Sequence, residues 1–220
     1  MAEVPHYVPP SGDITPIDVL VDFKVNQPQM GMHMSEFDDL HSVLAFDPGG
    51  TTGWAVIAIH PDALRPPGAD GIAYKILDNI VFWSAGQFTG TEAEMADAMV
   101  ELVKAWPGRS PLVVEDFILR VYRRDRTLLS PVRITARFEH AVRYTGFAER
   151  QRSGPGRQII LQGPSMAMSV ATDERLKTWG FYNATAGQPH ARDAVRHAIT
   201  FLRREKEARA GKRTLDPNKL

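Results

Sequence analysis

The sequence predicts an α/β domain: three strands in an antiparallel meander, then strands that alternate with helices, pair in parallel and carry helices on both faces. Three observations predict it. "SVLAFD" and "GWAVIAIH" are apolar runs of strand length joined by little more than "PGGTT", a connection too short for anything but an antiparallel pair. Two later runs, "PLVVEDF" and "RQIILQ", are short and apolar in the manner of strands buried on both faces. Each is followed by a segment of helical pattern.

The elements follow in order. Residues 1 to 41 read as an extension dense in proline up to Pro28, in which Val19, Val21, Phe23 and Val25 alternate as an accessory strand would. "SVLAFD" and "GWAVIAIH" are the first two strands of the domain, and "HPDALRPPGADG" is a loop. "IAYKILDNIVFWSAGQF" is a third strand, interrupted or continuous. Thr91 followed by Glu94 is a capping-box signature, so a helix runs through "EAEMADAMVELVKAW" until Pro107-Gly108 stops it. "LLSPVRITARFEHAVRYTG" is a helix with Pro131 in its first turn and Gly146 at its end. "PSMAMSVATDERLKTWGFY" holds one or two short helices, and "HARDAVRHAITFLRREKEA" is an amphipathic helix. The expected organisation is an acidic, proline-rich extension (1–41), a core domain (42–205) and a loose basic tail (206–220).

Composition narrows the class. Apolar content of 43% and charged content of 24% are those of an ordinary globular protein, and no apolar run is long enough to span a bilayer. There are no cysteines, which excludes disulfides, thiolate zinc sites and a cysteine nucleophile; a cytoplasmic protein with no membrane partner is expected. The net charge of zero hides an asymmetry. Residues 1–41 hold seven acids and one base, whereas residues 119–157 hold ten arginines and three acids. A basic middle beside an acidic head suits either a polyanionic partner or a solvated helix face.

Carboxylates supply the sharper signal. Asp47 ends "VLAF" and Glu115 ends "LVV", at the C-terminal ends of strands, where open α/β sheets place their sites. On neighbouring strands the two acids would repel by about 4 kcal/mol at about 4 Å and an effective dielectric of about 20. One is then protonated, or a cation lies between them. Hard ions such as Mg²⁺ or Mn²⁺ prefer such oxygens. In "HARDAVRH" the spacing puts His190, Asp193 and His197 on one helical face. Each acid also has a plain reading: Asp47 as the turn-former of Asp-Pro-Gly, Glu115 as the partner of an arginine, and Asp193 as a first-turn acid suited to the helix dipole.

"FDPGGTTGWAV", "VVEDF" and "HARDAVRHA", in that order, resemble the RuvC-type Holliday junction resolvases of the RNase H-like, retroviral-integrase superfamily, above all those of bacteriophages with actinobacterial hosts. The resemblance spans roughly residues 42–205. It implies an RNase H-like fold with a five-stranded mixed sheet, two divalent ions (Mg²⁺ or Mn²⁺), and a homodimeric endonuclease acting on branched DNA in recombination, repair and replication: four-way junctions, flaps and forks. For a phage protein it also implies the host cytoplasm. The catalytic and metal-binding residues it implies are Asp47, Glu115, His190 and Asp193. His197 and Asp116 have no secure counterpart in the family. On this reading Arg120, Arg123, Arg124 and Arg126 contact phosphates, and Tyr122 and Phe117 are candidates to stack on an unpaired base, Phe117 being more at home in the core of its strand. The helix 128–144 brings two subunits together. The small residues of the first turn let DNA approach the metals.

Two other classes fit parts of the chain. "DPGGTTG" also resembles the phosphate-binding turn of the sugar-kinase, actin and Hsp70 superfamily, although this chain lacks a second glycine-rich loop and the length for two domains. A catalytically silent DNA-junction binder is the other.

Overall fold

The computed structural model describes residues 6–7, 39–66, 75–106, 110–118, 126–144 and 159–211. The strand expected at 19–25 lies outside them. The strands are β1 (His6–Tyr7), β2 (His41–Asp47), β3 (Thr51–Ile59), β4 (Ile80–Thr89), β5 (Leu112–Glu115) and β6 (Ile159–Gln162). The helices are α1 (Glu92–Ala105), α2 (Ser130–Tyr144), α3 (Pro164–Val170), α4 (Asp173–Thr178), α5 (Phe181–Ala184) and α6 (Pro189–Arg209).

The sheet runs β1-β4-β3-β2-β5-β6. β2, β3 and β4 form the antiparallel meander, and β5 and β6 add in parallel beside β2. This is the expected five-stranded mixed sheet, extended at the β4 edge by the two residues of β1, which pair in parallel with Trp83 and Ser84. β4 begins at Ile80, directly after a 3₁₀ turn, Leu77–Asn79, that takes up part of the stretch expected as strand. Three short helices, not one or two, fill the stretch after β6, and α6 continues beyond residue 205 to Arg209.

Strand residues alternate between two cores. Leu44, Phe46, Trp54, Val56, Leu112 and Val114 face α1 and α2. Val43, Ala45, Ala55, Ile57, Val113 and Ile160 face α6. Phe138 of α2 packs on Phe46 with ring centroids 5.3 Å apart. Thr91 caps α1 in a full capping box with Glu94, which satisfies two of the backbone donors a helix start leaves free. Arg133 grips Glu92 with Nε and Nη2, at 2.6–2.9 Å, and so joins α2 to the start of α1.

α6 runs antiparallel to β2, and its far end is pinned there. The ring of His41, at the start of β2, lies 2.7 Å from Glu205, which also accepts from Arg209 at 2.7 Å. Burial opposes the charge of Glu205 most strongly, yet His41 and Arg209 together hold its pKa below the usual 4.5. A depressed carboxylate contributes stability above its unfolded pKa that is lost as pH falls through the folded one. Glu205→Gln is therefore expected to cost about 1–2 kcal/mol at pH 7 in urea denaturation, and the gap should close as pH drops below 4.5. A gap independent of pH would show that the charge of Glu205 is not its source.

Candidate active site at the C-terminal ends of the central strands

The period of two that builds the cores also aims the carboxylates. Val43 and Ala45 face α6, so Asp47 does too; Val113 faces α6, so Glu115 does as well. The parallel register pairs Phe46 with Val114, so Asp47 and Glu115 are the next residues on adjacent strands, pointing to the same side. Asp47 is buried and Glu115 half-buried.

α6 begins directly above them. Gly53 pairs with Asp47 across the β2–β3 ladder. A Cβ on Gly53 would lie 2.0 Å from the carbonyl oxygen of His190 and 2.7 Å from the amide nitrogen of Ala191. The bare glycine backbone is thus the seat of the first turn of α6, a role for this small residue that the sequence reading did not assign. Seated there, His190 donates from Nδ1 to Asp47 Oδ2 at 2.7 Å.

Asp193, one turn on, accepts from Arg196 Nη1 at 2.5 Å. The Arg196 guanidinium is buried and also bonds Asp173 and, from Nε, the Ala171 carbonyl at 2.9 Å, so it ties α6 to the start of α4. His197 completes the stripe, with Nε2 2.7 Å from Glu115 Oε2 and Nδ1 2.6 Å from Gln162 Oε1. His190, Asp193 and His197 thus lie on one face of α6, as their spacing predicts.

The electrostatics tie these acids together. Burial is the main force raising the pKa of Asp47 above 3.8. The bond to His190 pulls the other way, while the charges of Glu115 and Asp193 push it further up. His190 is raised above 6.5, first by its bond to Asp47 against the cost of burial, then by the charges of Asp47, Asp193 and Glu115. So three carboxylates from three elements sense one another around Asp47, and His190 supplies part of the missing positive charge.

Among the described residues, no three His, Asp or Glu side chains converge closely enough to hold a metal ion as they stand. Each acid is turned to a partner: Asp47 to His190, Glu115 to His197, Asp193 to Arg196. By chemistry the set fits a hard divalent cation, which would relieve the mutual repulsion that Asp47 records. Reaching a shared ion requires the three carboxylates to come closer to one another than they stand here.

The glycine-rich turn does not present itself as a phosphate cradle. Thr52 is buried, with its hydroxyl 3.4 Å from the Gly49 carbonyl and 3.2 Å from Met95 Sδ. Of the candidate DNA-contacting residues, Phe117 is half-buried two residues beyond Glu115. Arg126 opens a 3₁₀ turn, Arg126–Leu129, ahead of α2. Arg120, Tyr122, Arg123 and Arg124 lie outside the described residues. Sequence reasoning missed Gln162 and Arg196. For Arg196 a signal existed, its spacing of three from Asp193.

No protein-family model matches the chain, and no curated protein matches it. Among solved structures it is similar to T. thermophilus RuvC in complex with Holliday junction substrate, at 15% identity and a TM-score of 0.49, covering 78% of this chain and 97% of that one. It is also similar to the yeast mitochondrial Holliday junction resolvase Ydc2, at 13% identity and a TM-score of 0.44, covering 77% and 81%. Both likenesses are distant, and what the site can do follows from its own residues. No helix among the described residues is long and apolar enough to cross a membrane.

Proposed function

We propose that this chain is a divalent-metal-dependent endonuclease acting on branched DNA, with Asp47, Glu115, His190 and Asp193 as the ligand set for Mg²⁺ or Mn²⁺. The observation that carries the proposal is the placement of Asp47 and Glu115 at adjacent strand ends on one face of the sheet, beneath the first turns of the helix that carries His190 and Asp193. Each like charge raises the cost of ionising the next, a cost that a bound divalent cation offsets.

When bound, the metal supplies an activated water and a charge to stabilise the departing 3′-oxygen. The protein's part is placement. Asp47 and Glu115 are held by the sheet at adjacent positions, and Asp193 is held by the helix above them, so the acids approach from two rigid layers. His190 releases Asp47 on giving up its proton or turning away, and offers a ring nitrogen in turn. The surplus of arginine in the sequence of residues 119–157 suits a polyanionic partner. Products with 5′-phosphate and 3′-hydroxyl ends are expected, from a homodimer working in recombination, repair or replication.

The test is cleavage of a four-way junction, a flap and a plain duplex by the full-length protein with Mg²⁺ or Mn²⁺. Branched substrates should be cut at least about tenfold faster than duplex, a difference of roughly 1.4 kcal/mol in barrier, and chelation should stop the reaction. Absence of metal-dependent cleavage on every branched substrate overturns the proposal. Nucleotide binding in its place would point to the phosphotransferase class.

A further inference from the structure

The nuclease proposal has no role for His197 and Gln162, although they are among the most deeply placed polar groups of the domain. His197 is 0% exposed and Gln162 1%. Gln162 is the register partner of Glu115 across the parallel β5–β6 pair, so both side chains rise from the same face of the sheet. Above them the His197 ring spans the pair, with Nε2 to Glu115 and Nδ1 to Gln162. The strands are locked beneath this bridge by the Asp116 amide, which donates to the Gln162 carbonyl at 2.9 Å.

From this geometry we infer that His197, anchored by Gln162, is the positioning residue that fixes the Glu115 carboxylate; the inference rests on the metal-site reading above. The chemistry of the contacts requires a donor on Nε2, because a carboxylate accepts and does not donate. The ring meets that requirement in two ways. Both nitrogens carry protons and donate, or Nε2 alone does and Nδ1 accepts from the Gln162 amide, whose oxygen and nitrogen interchange by a half-turn. Either way an N–H from a fully buried ring holds Oε2 and leaves Oε1 free to meet a cation. Carboxylate ligands held in this manner lose orientation when the holding group is removed, which lowers metal affinity by about 10–100-fold.

Two substitutions separate positioning from packing. Glutamine places its amide nitrogen where Nε2 of histidine lies; asparagine places its amide where Nδ1 lies. His197→Gln therefore keeps a donor for Glu115, and His197→Asn keeps only the contact to Gln162. Mn²⁺ binding to the full-length, DNA-free protein is followed by the paramagnetic resonance signal of free Mn²⁺, with thermal midpoints taken on the same samples. His197→Gln should bind within about threefold of wild type, and His197→Asn at least about tenfold more weakly. Equal losses in both, or no loss in either, reduce His197 to a packing residue and overturn the inference while the metal site stands. A wild type that binds no Mn²⁺, or binds it equally well after Asp47→Asn, overturns the metal-site reading and this inference with it. If His197→Asn does not fold, Gln162→Leu carries the test, since it leaves the ring in place without its anchor. Weakening of at least about threefold supports the inference, and unchanged affinity overturns it.

Discussion

Asp47→Asn is expected to lower metal-dependent cleavage by a factor on the order of 10³ while leaving the metal-free protein as stable as wild type, or more so. The loss follows if the ion's charge stabilisation is worth about 4 kcal/mol, at about 1.4 kcal/mol per tenfold in rate. Asparagine keeps the shape and can still accept from His190, but it removes the charge around which Glu115 and Asp193 crowd. The stability argument needs its sign stated. Asp47 and His190 are both raised in the folded protein, above 3.8 and 6.5 respectively. A raised group contributes stability present below its unfolded pKa and lost as pH rises through the folded one. At neutral pH and above, the wild type therefore carries a buried carboxylate whose ionisation burial and its neighbours oppose, and asparagine relieves that cost. Thermal midpoints from pH 5 to 9 without metal should show the variant gaining on wild type as pH rises, and level with or above it from neutral pH upward. Added Mg²⁺ should raise the wild-type midpoint and leave that of the variant unmoved. An Asp47→Asn protein that is less stable throughout this range, or that still cleaves, would remove Asp47 from the centre of the site.

How much of this could be read from the chain depends on which information is local. The acids that end β2 and β5 were legible because each directly follows a buried apolar run, which marks it as a strand end. The stripe of His190, Asp193 and His197 was legible because helical spacing alone puts the three on one face. The choice of face was not. Both sides of "VLAF" and "LVV" are buried, so the run is apolar throughout and its period of two is invisible. The role of Gln162 depends on the parallel register of β5 with β6, and the segment between these strands does not encode that register. Arg196 was open to inference as a partner for Asp193, but its bonds to Asp173 and the Ala171 carbonyl come from the tertiary placement of the α3–α4 junction beside α6. Within the extension, His6 and Tyr7 pair with the β4 edge, a contact that no local pattern announces.

Gly53 is where the turn motif and the site meet, and it is the strongest structural test of the arrangement. Gly53→Ala is expected to destabilise the protein by about 3 kcal/mol, the upper end of ordinary overpacking costs. That corresponds to a fall of roughly 6–12 °C in Tm for a chain of this size. The added methyl would lie 2.0 Å from the His190 carbonyl oxygen and 2.1 Å from its carbon. Both are backbone atoms of the first turn of a long helix, so no side-chain rotation relieves the clash. Either the start of α6 lifts from β3, or β3 bends away from β2. Each movement carries His190 away from Asp47, the residue paired with Gly53. A displacement of about 1 Å at such a site can cost about 10² in rate, so cleavage should fall alongside stability. Gly50→Ala is the control. Nothing lies within 4 Å of its added methyl, and its φ is not in the left-handed region. It should change stability by less than about 0.5 kcal/mol and leave cleavage intact, although it sits three residues away in the same glycine-rich turn. If the turn instead worked by giving DNA close access to the metals, both alanines would impair cleavage and neither would much affect the fold. The two variants, measured by thermal denaturation and by cleavage of one branched substrate, therefore decide between a turn that admits the substrate and a strand that seats the helix.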